Sequence, residues 1–298
     1  MQMLHLKRIL VPIDFSDNSM NALETATSIA KRHDASVKLV YVNDNDNKFY
    51  PHLHSNGAHD AMRTLGTLAR CVKDDGNIEC SFSFFSGSIT SCILQDIADE
   101  SIDLIVMGKN GNAGKRELYA GSCAYDVSKK ALCPVLLVPA GKSWSQFKNI
   151  LFPVRPSVSM LEKYTTVKEI INKNDATLHI MNLRNPDYIN ELHIISKLVD
   201  LLKRKFEEDN IKTKISYYFR DDKFAEKILK TVQEATTKHD LLIISAEHNI
   251  PANTFYLSPY AQQIIHQANI PVLVIKPETI PQSKEIELEL LEKQISAN

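Results

Sequence analysis

The sequence predicts an α/β protein with two tandem, doubly wound, five-stranded parallel sheets. The first observation is an internal duplication: "LKRILVPIDFS" at 6–16 returns as "FKNILFPVRPS" at 147–157, and "SKKALCPVLLVP" at 128–139 returns as "IHQANIPVLVIK" at 265–276. The second is that short apolar runs alternate with segments of helical period in each copy, as in sheets with helices on both faces. The third is that these runs lack polar alternation, which is typical of strands buried on both faces.

The first copy supplies each predicted element in turn. Ser16, Asp17 and Ser19 are alternative N-caps for its first helix, because a short polar side chain there can accept a backbone N–H. The predicted strands are 8–13, 36–42, 78–85, 102–107 and 134–139, and the predicted helices are 14–33, 59–73, 88–100 and 121–131.

The second copy follows the same order with slightly shorter spacing. Pro12 matches Pro153 at an offset of 141, and Pro134 matches Pro271 at an offset of 137. The predicted strands are 149–154, 177–183, 212–219, 240–245 and 271–275, and the predicted helices are 157–173, 187–207, 222–237 and 258–268. The predicted domains are 1–142 and 146–277, followed by an acidic tail at 278–298 that either docks as a helix or stays solvated.

Composition excludes several classes of function. The net charge is −1, so no global field attracts nucleic acid or an anionic membrane. The longest apolar runs fall well short of the roughly 18 residues that a membrane span needs. The five cysteines are odd in number and have no close pairs, which predicts reduced thiols rather than a disulfide framework or a zinc site. With no signal-peptide core at the start, we expect a cytoplasmic protein.

A glycine-rich stretch, "GKNGNAGKRELYAGS" at 108–122, follows the fourth strand of the first copy. The phosphate-loop pattern G-x-x-x-x-G-K-[ST] does not fit, because Lys109 stands at its first glycine and Arg116 at its hydroxyl position. Glycines are nevertheless expected in a loop whose backbone binds a phosphate. A phosphate that approaches backbone N–H groups needs positions without a Cβ. A different anion-binding loop is therefore expected.

These motifs resemble the universal stress protein family, as a tandem form that covers residues 5–277. Its nucleotide-binding members have Gly, two residues, Gly, nine residues, Gly and then Ser or Thr, a spacing that Gly108, Gly111, Gly121 and Ser122 satisfy. "VPIDFS", with Asp14, resembles the family's first motif, and Val42 falls where the family's second strand meets adenine. The resemblance implies the strand order 3-2-1-4-5 and an adenine nucleotide (ATP, or AMP or ADP) with Mg²⁺. It implies these nucleotide-binding positions: Pro12, Asp14, Val42, Met107, Gly108, Gly111, Gly121, Ser122 and Cys123.

The chemistry of the loop agrees with that expectation. Ser122 would stand at a helix N-terminus, where free N–H groups and the helix dipole favour an anion. Lys109, Lys115 and Arg116 either screen phosphate charge or are ordinary solvated cations. By resemblance, Asp14 lies toward the ribose and adenine or holds a metal-bound water.

The second copy has lost the loop. Residues 142–298 contain no glycine, and Arg155 replaces Asp14. We expect no ATP there and a structural role, as half of a pseudo-dimer through the fifth strands. A different ligand, bound by Arg155 and His248, is the alternative. The four motif positions become Ser245, His248, Ser258 and Pro259, and Phe255 and Tyr256 add bulk that could fill the cleft.

Other candidates are weaker. His52, His54, His59 and Asp60 could chelate a metal, but no zinc spacing matches and surface histidines are common. Cys123 is either a reactive thiol in a first helical turn or a small residue beside phosphate. Catalytic signatures are absent, so slow ATP hydrolysis or transfer to Ser122 is the most that the resemblance implies.

Two functions remain open after these observations. The first is a stress-response switch or sensor that binds nucleotide in the first domain, with a possible homodimer. The second is a nucleotide-free adaptor or chaperone-like scaffold in which both clefts are vestigial.

Overall fold

The computed structural model describes two compact units. The first unit consists of residues 5–146 with 271–274, and the second consists of residues 147–270 with 1–4 and 275–298. The described residues are 6–44, 57–109, 123–154, 160–184, 200, 202–219, 223–233, 238–249 and 254–276.

The five strands of the first copy form a parallel sheet with the predicted strand order. Its strands run β3-β2-β1-β4-β5, which confirms the order 3-2-1-4-5. Strands β1 and β4 are neighbours in this order. The strand order reverses between them, because β2 and β3 lie on one side of β1 whereas β4 and β5 lie on the other. The elements are β1 (Arg8–Pro12), α1 (Asp17–His33), β2 (Ser36–Asn43), α2 (Gly57–Gly76), β3 (Cys80–Ser86), α3 (Ile89–Asp99), β4 (Leu104–Gly108), α4 (Cys123–Lys130) and β5 (Val135–Val138).

The sheet of the first unit is mixed, which the expectation of wholly parallel sheets did not include. Residues 271–274 belong to this unit although they come from the second copy. They form most of β12 (Val272–Ile275), which pairs antiparallel with β5, Leu273 opposite Leu136. Both strands are fully buried apolar runs, so periodicity predicts their burial but not the direction in which they pair.

The second unit repeats the early part of the same plan, with parallel strands in the order β9-β6-β7-β8. A small antiparallel pair, β10 with β11, was not predicted, because three-residue strands are too short to show a period of two. The elements are β6 (Asn149–Val154), α5 (Met160–Asn174), β7 (Thr177–Arg184), α6 (202–208), β8 (Lys212–Phe219), α7 (Phe224–Gln233), β9 (Leu241–Ser245), β10 (Glu247–Asn249), β11 (Thr254–Tyr256) and α8 (Pro259–Gln267).

The duplication is visible in a shared hydrogen-bond pattern at the start of the sheets. In the first unit the Asp103 carboxylate accepts the backbone N–H groups of Lys7 and Arg8 at 2.8 and 2.9 Å. In the second unit the Asp240 carboxylate accepts those of Lys148 and Asn149 at 2.7 and 2.9 Å. Each aspartate therefore satisfies two donors that the incoming chain would otherwise leave without an acceptor.

Each unit is held together by an apolar core between its sheet and helices. Strands β1, β4 and β9 carry side chains with almost no exposure, such as Leu10, Ile105 and Ile243. In the described ranges, no helix is long and apolar enough to cross a membrane.

Candidate functional site

The first predicted site element is the turn between β1 and α1. Phe15 has a φ of 58°, a left-handed conformation that turns the chain sharply after the strand. Ser16 is the N-cap of α1, one of the three predicted alternatives, and its hydroxyl accepts the N–H of Ser19 at 3.2 Å. The Asp14 carboxylate accepts the N–H of Ser16 at 3.0 Å and its hydroxyl at 2.5 Å. Asp14 is therefore held in one orientation at the carboxyl end of β1.

Gly108 is the last residue of β4, and the packing around it explains why this position holds a glycine. A Cβ at this position would lie 3.0 Å from the backbone carbonyl carbon and oxygen of Asn18, in the first turn of α1. The structure shows that this glycine allows β4 and α1 to approach each other closely.

This contact predicts that Gly108→Ala lowers the free energy of unfolding by about 1–3 kcal/mol, because backbone atoms must move to admit the methyl group. Urea unfolding followed by circular dichroism measures it. Gly66→Ala is the matched control, since a Cβ there meets only the Phe82 ring at 3.5 Å. Alanine inside helix α2 should keep or raise stability. Equal stability of Gly108→Ala and wild type would contradict the packing argument.

Cys123 begins α4 and lies near Asp14. Burial raises the pKa of its thiol to about 11, and the carboxylates of Asp126 and Asp14 add to that rise, against a hydrogen bond from Thr90. The Asp14 carboxylate, also a predicted site residue, is thus one of the charges that act on the Cys123 thiol. Burial thus opposes the thiolate form that the reactive-thiol interpretation of Cys123 requires.

Lys109, directly after Gly108, is buried with 7 % of its surface exposed. Its backbone N–H donates to the carbonyl of Val138 at 2.8 Å, which continues the β4–β5 ladder. Burial lowers the pKa of its ammonium group to about 8. Lys109 is therefore not the solvated loop cation that was one of its two sequence interpretations. Periodicity could have indicated this, since Lys109 continues a buried strand.

The remaining predicted positions line the same end of the sheet. Pro12 and Val42 are half-buried at the ends of β1 and β2, and Met107 is buried on β4. An aromatic group near them was not predicted: the Tyr41 ring lies 5.2 Å from that of Phe15 and 5.4 Å from that of Phe84.

Several predicted residues lie outside the described residues. These are Gly111, Lys115, Arg116, Gly121 and Ser122 of the loop, His52 and His54, Arg155, and the tail from 278. His59 and Asp60 are exposed in the first turn of α2, and within the described part of the chain no group of three potential metal ligands is found.

In the second unit, the positions that correspond to the loop glycines hold residues that carry side chains. Ser245 ends β9, and Ser258 is the N-cap of α8 with Pro259 in its first turn. Phe255 is buried, with the ammonium group of Lys276 5.2 Å from its ring centre, whereas Tyr256 is 42 % exposed. Of the two aromatic residues, Phe255 alone provides buried bulk.

A cavity of about 300 Å³ lies in the first unit, but not at this cleft. Arg8, Ser36, Lys38 and Glu79 are among its lining residues, and all of them lie at or near the amino ends of β1, β2 and β3. Ligands of parallel sheets usually bind at the carboxyl ends of the strands, so this cavity lies at the end opposite the predicted nucleotide site.

The chain is similar to known proteins in sequence over about half of its length and in fold over most of it. The universal stress protein family model matches residues 5–139. Universal stress protein MJ0531 of Methanocaldococcus jannaschii is 30% identical over 146 residues, which are 46% of this chain and 84% of that protein. Universal stress protein YxiE of Bacillus subtilis is 25% identical over 145 residues, which are 44% of this chain and 97% of that protein.

A solved structure shares the fold of the whole chain. A universal stress protein from Archaeoglobus fulgidus matches with a TM-score of 0.69 at 17% identity, over 93% of this chain and 100% of that one. At this identity the likeness shows the fold alone. Together with the sequence matches, it shows that the chain belongs to the universal stress protein family.

Proposed function

We propose that the first repeat binds ATP or a related adenine nucleotide at the carboxyl ends of β1 and β4, and that binding acts as a switch or sensor. The observation that carries the proposal is the spacing of Gly108, Gly111, Gly121 and Ser122 in the connection from β4 to α4. This connection starts at Gly108, beside α1, and ends at Cys123, where α4 begins.

The residues present fit a nucleotide with Mg²⁺. Lys109 places a buried ammonium group at the start of the loop, where a phosphate would stabilise its charge. The loop amides and Ser122 would bind phosphate oxygens at the N-terminal end of α4. Asp14, already oriented by Ser16, would face the ribose or a water on the metal. Bound Mg²⁺ would neutralise part of the phosphate charge.

The base would lie against the ends of β1, β2 and β4, where Pro12, Val42 and Met107 offer apolar surface. The family resemblance implies at most slow hydrolysis, so we propose that the ordered loop itself is the signal.

The second repeat has a structural role in this proposal. We propose that the repeats are 1–142 and 146–277, that they pair as a pseudo-dimer through their fifth strands, and that the chain can also form a homodimer. The side chains at Ser245, Ser258 and Phe255 support the absence of ATP from the second repeat, because a glycine-lined approach to backbone amides is missing there.

Nucleotide content and thermal stability test the proposal on the full chain. Freshly purified protein is denatured, and the released small molecules are identified by mass spectrometry. Free protein is then heated with MgATP. A nucleotide present at a hundred times its Kd stabilises the native state by about 2.7 kcal/mol, which for a chain of this size is a rise in Tm of roughly 5 °C.

Gly121→Val should abolish this rise, because its side chain blocks the phosphate approach. Ser258→Val, at the matching position of the second repeat, is the control and should keep the full rise. A protein without released nucleotide and with an unchanged Tm at millimolar ATP would overturn the proposal and favour the nucleotide-free scaffold. An equal loss in both variants would also contradict it.

A further inference from the structure

An unbroken chain of hydrogen bonds crosses the second unit, away from the proposed nucleotide site. The Ser216 hydroxyl on β8 lies 2.9 Å from Nε2 of His179 on β7. Nδ1 of His179 lies 3.0 Å from Nε2 of His239, two residues before β9, and the two rings stack at 5.1 Å. His239 in turn bonds the backbone of Thr231 on α7. The chain of hydrogen bonds therefore links β8, β7 and the segment before β9 to helix α7.

One set of tautomers satisfies every bond when both rings are neutral. The carbonyl of Thr231 can only accept, so the remaining nitrogen of His239, Nδ1, carries a hydrogen. Nε2 of His239 then accepts from Nδ1–H of His179, and Nε2 of His179 accepts from the Ser216 hydroxyl. A first proton can enter at Nε2 of His179, where Ser216 changes from donor to acceptor. A second proton would place two N–H groups face to face.

The surroundings of His239 disfavour that second proton. His239 is buried, with 5 % of its surface exposed. Burial, followed by the charges of His179 and Lys214, lowers the pKa of His239 to about 4. The Asp240 carboxylate beside it accepts backbone N–H groups of β6 instead. The buried side chains of α7 carry no ionisable groups; they are those of Ala225, Ile228, Leu229, Thr231 and Val232.

The first unit has a different arrangement at the same place. Lys38 matches His179 at the repeat offset of 141, and Asp96 of α3 matches Thr231 of α7 by alignment of the two helices. The Lys38 ammonium donates to the Asp96 carboxylate at 2.7 Å. An ion pair thus joins helix and sheet in the first unit, and neutral imidazoles join them in the second.

We propose that His179 and His239 form an acid-sensitive contact that releases α7 from the sheet of the second unit when the pair takes up protons. The physical cause is the conversion of a satisfied, neutral chain into two facing donors in a buried, already positive environment. The contact makes the second repeat the pH-responsive half of the protein.

The direction of the pH effect follows from proton binding. Once α7 opens, His239 returns to its ordinary pKa of 6.5, so the open form binds more protons than the closed form. The contact is fully stable above pH 6.5 and loses stability as the pH falls toward 4. Between pH 7.5 and 5.0 the opening equilibrium should rise about thirtyfold.

Hydrogen exchange of the full chain, read by mass spectrometry at pH 7.5 and 5.0, tests the proposal. Protection factors are corrected for the intrinsic pH dependence of amide exchange. Amides of α7 (Phe224–Gln233) should lose about thirtyfold in protection, and those of α3 (Ile89–Asp99) less than about threefold. Equal losses in both helices, or none in α7, would overturn it.

His239→Gln keeps a distal acceptor for His179 but does not titrate, so it should flatten the pH dependence of α7. His266→Gln, on the exposed side of α8, is the matched control and should behave as wild type. A thirtyfold loss that persists in His239→Gln contradicts the assignment. If that variant is unfolded at pH 7.5 by circular dichroism, the comparison of α7 with α3 in the wild type decides alone.

Discussion

Replacing Lys38 by methionine is expected to lower the free energy of unfolding by about 3–5 kcal/mol. The side chains of Lys38 and Asp96 are only 8% and 5% exposed, and their ammonium and carboxylate groups lie 2.7 Å apart. Burial alone would lower the pKa of Lys38, but hydrogen bonds from its ammonium group to Asp96 and Glu100 reverse this and raise it. Methionine fills the space but leaves the Asp96 carboxylate buried without its cation.

Two further variants test whether the unpaired Asp96 carboxylate causes this loss. The stability of each variant is measured by urea unfolding. Lys38→Met with Asp96→Leu should recover most of the stability, because a buried pair replaced by apolar side chains of similar volume is close to neutral. Lys212→Ala breaks the pair with Asp175, whose side chains are 66% and 75% exposed, and should cost less than about 1 kcal/mol. A single Lys38 variant as stable as wild type would show that the buried pair contributes nothing.

Phe206→Ala should destabilise the second unit by about 3–5 kcal/mol. Phe206 lies on α6 and is 1 % exposed, and Leu202, one turn earlier on the same face, is 3 % exposed. These two side chains attach α6 to the core, so truncating the larger one leaves a cavity that a rigid sheet cannot collapse to fill. The free energy of unfolding, from urea titration at pH 7.5, gives the effect.

A graded series makes the Phe206 result interpretable. Phe206→Leu keeps most of the volume and should cost less than about 1.5 kcal/mol. Tyr217→Ala removes an aromatic ring that is 46 % exposed on β8 and should cost less than Phe206→Ala. Equal costs for Phe206→Ala and Tyr217→Ala would show that burial does not set the contribution of aromatic residues in this unit.

Local signals predicted most of the secondary structure. Strands β6 and β8 begin and end at the predicted residues, and Ser16 caps α1 as one of three alternatives. These features depend on neighbours within a few positions, which periodicity and capping preferences record. The pair β10 with β11 was missed because its strands are too short to carry a period.

For the site residues too, some features were predicted from the sequence and others were not. The family motif indicated Asp14 and Cys123, which the structure places just after β1 and at the start of α4. The reason for Gly108 could not be predicted, since Asn18 lies 90 positions earlier in the chain. The same holds for Lys38 with Asp96, and for His179 with His239, which are joined only by the packing of a helix or strand against another strand.

The amino-acid sequence by itself determined the duplication, the alternation of strands and helices, the strand order through its family motif, and the loss of glycines from the second copy. Periodicity and spacing along the chain are enough for these features. Tertiary structure alone decided which polar groups are buried and which groups they contact: an ion pair in the first repeat, two hydrogen-bonded imidazoles in the second, and a buried ammonium at Lys109. The physical reason is that desolvation and hydrogen bonding depend on distances between residues far apart in sequence.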